Sequence, residues 1–128
     1  MKLILNSKQN YGTHIEEYTE EFSCSVEKND NIAKIKFDDG TILIEENKII
    51  YERNENKIII EPGKINECDY ETEHGMFVLD IKGISVKTEY KEQEEILAGK
   101  IATAVYEIQI VGVAPYENTI EITLAEWN

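Results

Sequence analysis

Between Phe37 and Leu79 apolar residues recur at every second position, and turn-forming pairs break the pattern at short intervals: Asp39-Gly40, Glu46-Asn47, Glu55-Asn56 and His74-Gly75. Side chains alternate across a β-strand, so a period of two marks strands with one buried face and one wet face. Short polar pairs between such runs make antiparallel hairpins, and enough hairpins in series curl into a sandwich or a barrel. The chain is predicted to be all-β.

Pairing each run with the next gives the inner rows. A turn at Asp39-Gly40 sets Phe37 opposite Ile42, Ile35 opposite Ile44 and Lys34 opposite Glu45. Apolar pairs and an ion pair then fall into place together, as a correct register requires. A turn at Glu46-Asn47 continues the inner row through Ile49, Tyr51 and Arg53, and leaves Leu43 and Ile50 outside with Ile59 nearby. That outer trio reads either as scattered surface hydrophobes or as a contact patch. At the next joint, a two-residue turn at Glu55-Asn56 keeps Arg53 inside and opposite Ile58, whereas a three-residue loop turns it outward. Continuity with Ile49 and Tyr51 favours the two-residue turn.

After Pro62-Gly63, a plain two-residue turn would bury Glu67, Asp69 and Glu71. An odd-length loop or bulge instead places Asn66, Cys68, Tyr70 and Thr72 inside. A turn at His74-Gly75 agrees, setting Thr72 against Phe77, Tyr70 against Leu79 and Cys68 against Ile81. From Met76 to Tyr90 one long strand changes phase at Gly83, passing from Phe77, Leu79 and Ile81 to Ile84, Val86, Thr88 and Tyr90, the mark of a β-bulge. Residues 91–98 read either as a short helix or as a polar loop. Further inner rows are Ala102, Ala104, Tyr106, Ile108 and Ile110; Ile120, Ile122 and Leu124; and Leu3 and Leu5. Another holds Tyr18, Phe22, Cys24 and Val26, with Glu20 as its one charge. About 8–10 strands joined mostly by hairpins favour a single antiparallel up-and-down barrel spanning 1–128, because closure removes exposed edges.

The run Lys48-Ile49-Ile50-Tyr51-Glu52-Arg53, then Glu61-Pro62-Gly63-Lys64 and Tyr70-Glu71-Thr72-Glu73-His74-Gly75, resembles the YwiB-like family of small bacterial β-barrel proteins. So do the long strand from Met76 to Thr88 and Gly99-Lys100-Ile101 leading to Tyr106, and the likeness covers roughly residues 33–126. The resemblance implies a calycin-type barrel, similar in architecture to lipocalins and fatty-acid-binding proteins, in a cytosolic bacterial protein. It implies no activity. The Gly-x-Trp signature of true lipocalins is absent: Gly12 is followed by Thr13 and His14, and the one tryptophan is Trp127.

Charge narrows the partners. Acidic side chains outnumber basic ones 26 to 13, giving a formal net charge of −13, so the field repels nucleic acid and anionic membranes. Cys24 and Cys68 lie within apolar alternations, with no CxxC spacing, and read as two buried thiols. The start, Met1-Lys2-Leu3-Ile4-Leu5-Asn6, is too short an apolar run for a signal peptide, which points to the cytoplasm. His14 and His74 fall in turns with no nucleophile beside them, and no phosphate-cradling glycine loop is present, so neither an enzyme nor a cofactor is expected. Asp69 opposite Asp80, flanked by Glu67 and Glu71, reads as a solvated acidic face rather than a metal site.

The candidate site is the interior. Tyr18, Glu20, Tyr51, Arg53, Tyr70 and Tyr106 all point inward among aliphatics. An enclosed guanidinium needs a counter-ion, since leaving it unpaired costs several kcal/mol. Either Glu20 supplies that charge, or Arg53 and the tyrosine hydroxyls hold the polar head of a small amphipathic ligand. Ala102 and Ala104 leave room for a cavity, whereas twenty isoleucines could fill it. Two functions follow: binding of a small apolar or carboxylated ligand inside the barrel, or a filled barrel serving as a structural or protein-interaction module through its outer surface. In the second, the patch of Leu43, Ile50 and Ile59 would support self-association.

Overall fold

The computed structural model describes residues 1–89 and 99–126, apart from the side chains of residues 70–72. Ten strands are formed: β1 (Lys2–Asn10), β2 (Ile15–Asn29), β3 (Ile32–Phe37), β4 (Gly40–Glu45), β5 (Lys48–Arg53), β6 (Asn56–Ile60), β7 (Ile65–Thr72), β8 (Gly75–Thr88), β9 (Gly99–Gln109) and β10 (Tyr116–Ala125). Their order in space is β6-β5-β4-β3-β2-β1-β10-β9-β8-β7, with antiparallel neighbours throughout. Taken as a ring, this is the order of the sequence. β1 and β10 join its ends through a ladder from Lys2↔Ala125 to Asn10↔Glu117. The architecture is the expected up-and-down barrel, nearly closed, with no helix among the described residues.

The gap in the ring lies between β6 and β7, where the chain itself bridges the two strands. Gly63 donates its N–H to the Gly83 carbonyl at 3.0 Å, and Gly83 donates back to the Lys64 carbonyl at 3.0 Å. The Pro62-Gly63 turn is thereby docked on the bulge of β8. Asn66 Nδ2 adds a long 3.5 Å contact to the Ile59 carbonyl. No side chain fits at Gly83, because a Cβ there would collide with the backbone of Glu61. The bulge therefore serves two ends: it bends β8 and lets the turn pass close enough to shut the seam.

Four hairpin turns were expected, and one stands as read: Glu46-Asn47 sets Ile44 opposite Ile49, Leu43 opposite Ile50 and Ile42 opposite Tyr51. The other three fall one residue earlier. Asp38-Asp39 forms the β3–β4 turn, so Phe37 pairs with Gly40, Ile35 with Ile42, and Lys34 with Leu43 rather than Glu45. Asn54-Glu55 forms the β5–β6 turn, with Arg53 opposite Asn56 and Tyr51 opposite Ile58. Glu73-His74 forms the β7–β8 turn, so Tyr70 pairs with Phe77, Cys68 with Leu79, and Glu67, not Asp69, faces Asp80. Two causes are visible. Gly40 is a strand residue whose missing side chain lets the Glu52 carbonyl approach. Asn54 and Glu55 adopt φ of 50° and 70°, the positive pair that a type I′ hairpin turn requires, although glutamate seldom takes it. Each slip moves the partner by two residues, so every side chain keeps its face.

Inside, Leu3, Ile35, Ile42, Ile44, Ile49, Ile81, Ala102, Ala104, Ile122 and Leu124 are almost wholly removed from solvent. Each buried Leu or Ile contributes about 1.5–3 kcal/mol. Asn66 and Cys68 lie inward as expected, the latter fully buried, while Ile65 is exposed. Three inward assignments are overturned. Ile84 is the bulged residue between Gly83 and Ser85 and is exposed, leaving Val86 and Thr88 to resume the row. Phe77 is 46% exposed and Tyr18 52% exposed, because β8 before Asp80 extends past the end of β9 and β2 before Cys24 has no partner in β3. Strands that outrun their neighbours wet both faces. The expected helix or loop over residues 91–98, and Tyr90, lie outside the described residues.

Candidate functional site

The short strands β3–β6 give one side of the barrel a lower rim. β2 pairs with β1 from Ile15 to Ser23, but β3 joins it only from Cys24 onward. The β3–β4 and β5–β6 turns end beside this free stretch, and Arg53, the last residue of β5, reaches across to it. Its Nη2 lies 2.9 Å from Glu20 Oε2 and its Nη1 3.1 Å from Glu20 Oε1, a two-pronged contact. Asp39 Oδ2 stands 3.6 Å from the same Nη2, and Nη1 donates weakly to the Tyr51 hydroxyl at 3.5 Å. The guanidinium carbon sits 5.0 Å above the Phe22 ring centre, and Phe22 packs on Phe37. The hydrogen bond to Glu20 holds the Arg53 pKa above its ordinary value. Of the two roles open to Arg53, the structure displays the internal ion pair.

Behind this clamp is a recess of about 130 Å³. Leu5, Ile49 and Ile60, each almost fully buried, form its floor. Ser7, Glu20, Tyr51, Ile58, Tyr106 and Ile120, all partly exposed, form its walls and lip. Polar groups therefore sit on the side that solvent reaches and hydrocarbon lies beneath them. The fully buried Ala102 and Ala104 are packed in the core and do not border the space.

Burial raises the Tyr51 hydroxyl pKa, partly offset by its hydrogen bond with Arg53. Burial likewise pushes the Tyr106 hydroxyl up to about 12, and a hydrogen bond from the Asn118 side chain tempers the rise. Both phenols are neutral over the whole physiological range. Asn118 is the cross-strand partner of Tyr106, 5% exposed, and its Oδ1 has no hydrogen-bond partner among the described residues.

No family model matches the chain, and a search of curated proteins finds no match. Among solved structures it is similar to the crystal structure of the ywiB protein from Bacillus subtilis, with a TM-score of 0.58 over 98% of this chain and 91% of that one. Identity between the two is 11%, so the likeness is one of fold.

Of the six interior residues proposed from sequence, four gather at the recess: Glu20, Tyr51 and Tyr106 line it, and Arg53 is bonded to two of them. Tyr18 lies on the same row but at the free end of β2, where its hydroxyl donates to Glu16 at 2.7 Å. That contact is the leading cause of its raised pKa. Tyr70 is on β7, and its side chain lies outside those described. Sequence reasoning missed Asn118 and Ser7. Counting back by two from Leu124, Ile122 and Ile120 reaches Asn118, so its signal was present. A larger hollow of about 290 Å³ lies on the outside of β1, β2 and β10 among Asn6, Lys8, Glu17 and Thr119, and it is an open polar groove. Among the described residues no group of three or more His, Cys, Asp or Glu could hold a metal ion.

Leu43, Ile50 and Ile59, the outer trio, form one row across β4, β5 and β6 and are each half-buried. The more exposed apolar side chains are elsewhere: Ile65, Met76, Phe77 and Val78 on the β7–β8 hairpin, and Val111 and Val113 after β9.

Proposed function

We propose that the chain is a remote member of the YwiB-like barrels and binds a small apolar molecule in the recess beside Tyr51 and Tyr106. The observation carrying this reading is space of about 130 Å³ with a hydrocarbon floor, set beside a described core packed with isoleucine, leucine and alanine. An apolar cavity of about 150 Å³ accommodates benzene, so this one suits a single ring or the end of a short chain. It is smaller than the roughly 300–1,000 Å³ of drug-sized sites, and a fatty acid would have to leave most of its tail outside. Of the two ligand classes raised by the sequence, the apolar one is better supported, because Arg53 already has Glu20 as its counter-ion. Two free thiols, Cys68 buried and Cys24 half-buried, suit a reducing cytoplasm.

Toluene titration followed by methyl NMR tests the proposal. Saturable shifts at the Ile49, Ile58 and Ile60 methyl groups are expected, and Ile58→Trp, which fills the recess from its lip, should abolish them. Unmoved methyl signals at the solubility limit of toluene would remove the idea.

A further inference from the structure

Apart from the recess, we infer that the free edge of β2, from Ile15 to Glu21, takes up one further strand from a partner protein: an extended segment, antiparallel to β2, with lysine or arginine at alternate positions. β2 pairs with β1 from Ile15 to Ser23, whereas β3 joins it only at Cys24. Cys24 donates its N–H to the Met1 carbonyl at 2.9 Å, so the even-numbered residues of β2 turn their backbone groups toward β1. The N–H and C=O of Glu17, Thr19 and Glu21 therefore point the other way, and among the described residues no strand lies there to meet them. The side chains of these three are exposed, and Ile15 and Tyr18 are each 52% exposed. Arg53 approaches from the inner face, where Glu20 points, and not along this edge. A row of unanswered donors and acceptors is a template for another strand.

Charge selects the occupant. The stretch from Ile15 to Ser23 carries Glu16, Glu17, Glu20 and Glu21 and no basic residue, and the Asp38-Asp39 turn stands at its end. Arg53 holds Glu20, Lys2 lies 3.8 Å from Glu21, and Lys8 is across the ladder from Glu17. Even with Lys36, on β3 across from Ser25, the carboxylates remain in excess. A second copy pairing its own β2 about Thr19 would set Glu17 against Glu21 twice, and like charges directly opposed are destabilising. Residues 90–98, with Glu92, Glu94 and Glu95 against Lys91, bring the same sign. A strand with basic residues opposite Glu17 and Glu21, and apolar ones beside Tyr18 on the inner face, answers both the backbone row and the field.

An acetylated and amidated heptapeptide, Val-Lys-Val-Thr-Val-Lys-Val, titrated into the unmodified protein tests this. Saturable binding is expected, weakening as sodium chloride is raised, with amide hydrogen exchange slowed at Glu17, Thr19 and Glu21. A peptide with glutamate in place of both lysines should bind at least about tenfold less tightly. N-methylation of the threonine amide, which faces β2, should cost as much, while N-methylation of a neighbouring valine, which faces away, should leave binding unchanged. Glu17→Gln combined with Glu21→Gln, both exposed, should bring the two peptides to similar affinity. No protection at the three amides, or equal affinity of the two peptides for the unmodified protein, overturns the inference. A concentration-dependent dimer with the Thr19 amide protected would put a second copy on the edge and overturn it too. Toluene binding at the recess is read separately and bears on neither result.

Discussion

Arg53 on β5 and Glu20 on β2 meet through two contacts of 2.9 and 3.1 Å, although two strands separate them in the sheet. The pair forms where the backbone ladder between β2 and β3 has not yet begun, and it ties the low rim of the barrel to the tall one. Backbone hydrogen bonds hold the rest of the ring. Here a side-chain clamp over Phe22 takes their place.

That clamp is part-exposed, Arg53 at 27% and Glu20 at 44% by side chain, so its worth is limited by solvent screening. Arg53→Ala is expected to cost about 1–2 kcal/mol, including the lost packing on Phe22. A double-mutant cycle with Glu20→Gln, read by urea denaturation, should give a coupling of about 1 kcal/mol. No coupling would mean the two side chains act independently.

Gly83 makes the opposite kind of contribution, through what it lacks. Gly83→Ala forces a methyl group into the Glu61 backbone and should cost about 2–4 kcal/mol, opening the seam between β6 and β7. Gly12→Ala, where φ is +86° but the space is empty, should cost about 1 kcal/mol. Hydrogen exchange at the Gly63 and Gly83 amides distinguishes the two, accelerating in the first variant and not in the second.

Tyr106 ionises late, and the sign of its effect follows. Below pH 10 the phenol is protonated whether the chain is folded or not. Between its ordinary value of 10.0 and the folded value of about 12, the unfolded chain has given up a proton that the folded one keeps. Stability contributed by the neutral phenol is therefore full below pH 10 and falls as pH rises toward 12, by about 2–3 kcal/mol in all. Denaturation midpoints at pH 9 and 11.5 should differ less in Tyr106→Phe than in the parent. Phenolate absorbance should show one tyrosine titrating near 12.

Filled and hollow parts of the interior should answer differently to truncation. Ile122→Ala, in the packed core, is expected to cost about 3–5 kcal/mol. Ile58→Ala, at the lip of the recess, merely enlarges an opening that water already reaches and should cost about 1–2 kcal/mol. Thermal unfolding of the two variants measures the contrast; equal losses would argue that no recess exists.

Faces were legible in the sequence, whereas three of the four expected turns were displaced by one residue. Period-two alternation fixes which side of a strand is apolar, and displacing a turn from Asp39-Gly40 to Asp38-Asp39 changes the partner without changing the face. For that reason Arg53 was correctly placed indoors near Glu20 while its hairpin register was off by two. Gly40 misled because glycine serves both turns and close approaches, and only the path of Glu52 tells which is meant. Tyr18 and Phe77 follow the inner pattern faithfully yet stand exposed, since alternation says nothing about whether the neighbouring strand is long enough to cover them. Asn118 hid for another reason: a single amide near a turn reads as surface until its row is counted.

The measurement closest to the central claim is a crystal structure under xenon pressure. Xenon settles in accessible apolar space and needs no polar head, so it reports the hollow itself. One site is expected, against Leu5, Ile49, Ile58 and Ile60, with none among Leu3, Ile122 and Leu124 in the packed core. Xenon absent from the first position, or found instead among the second group, would contradict the account.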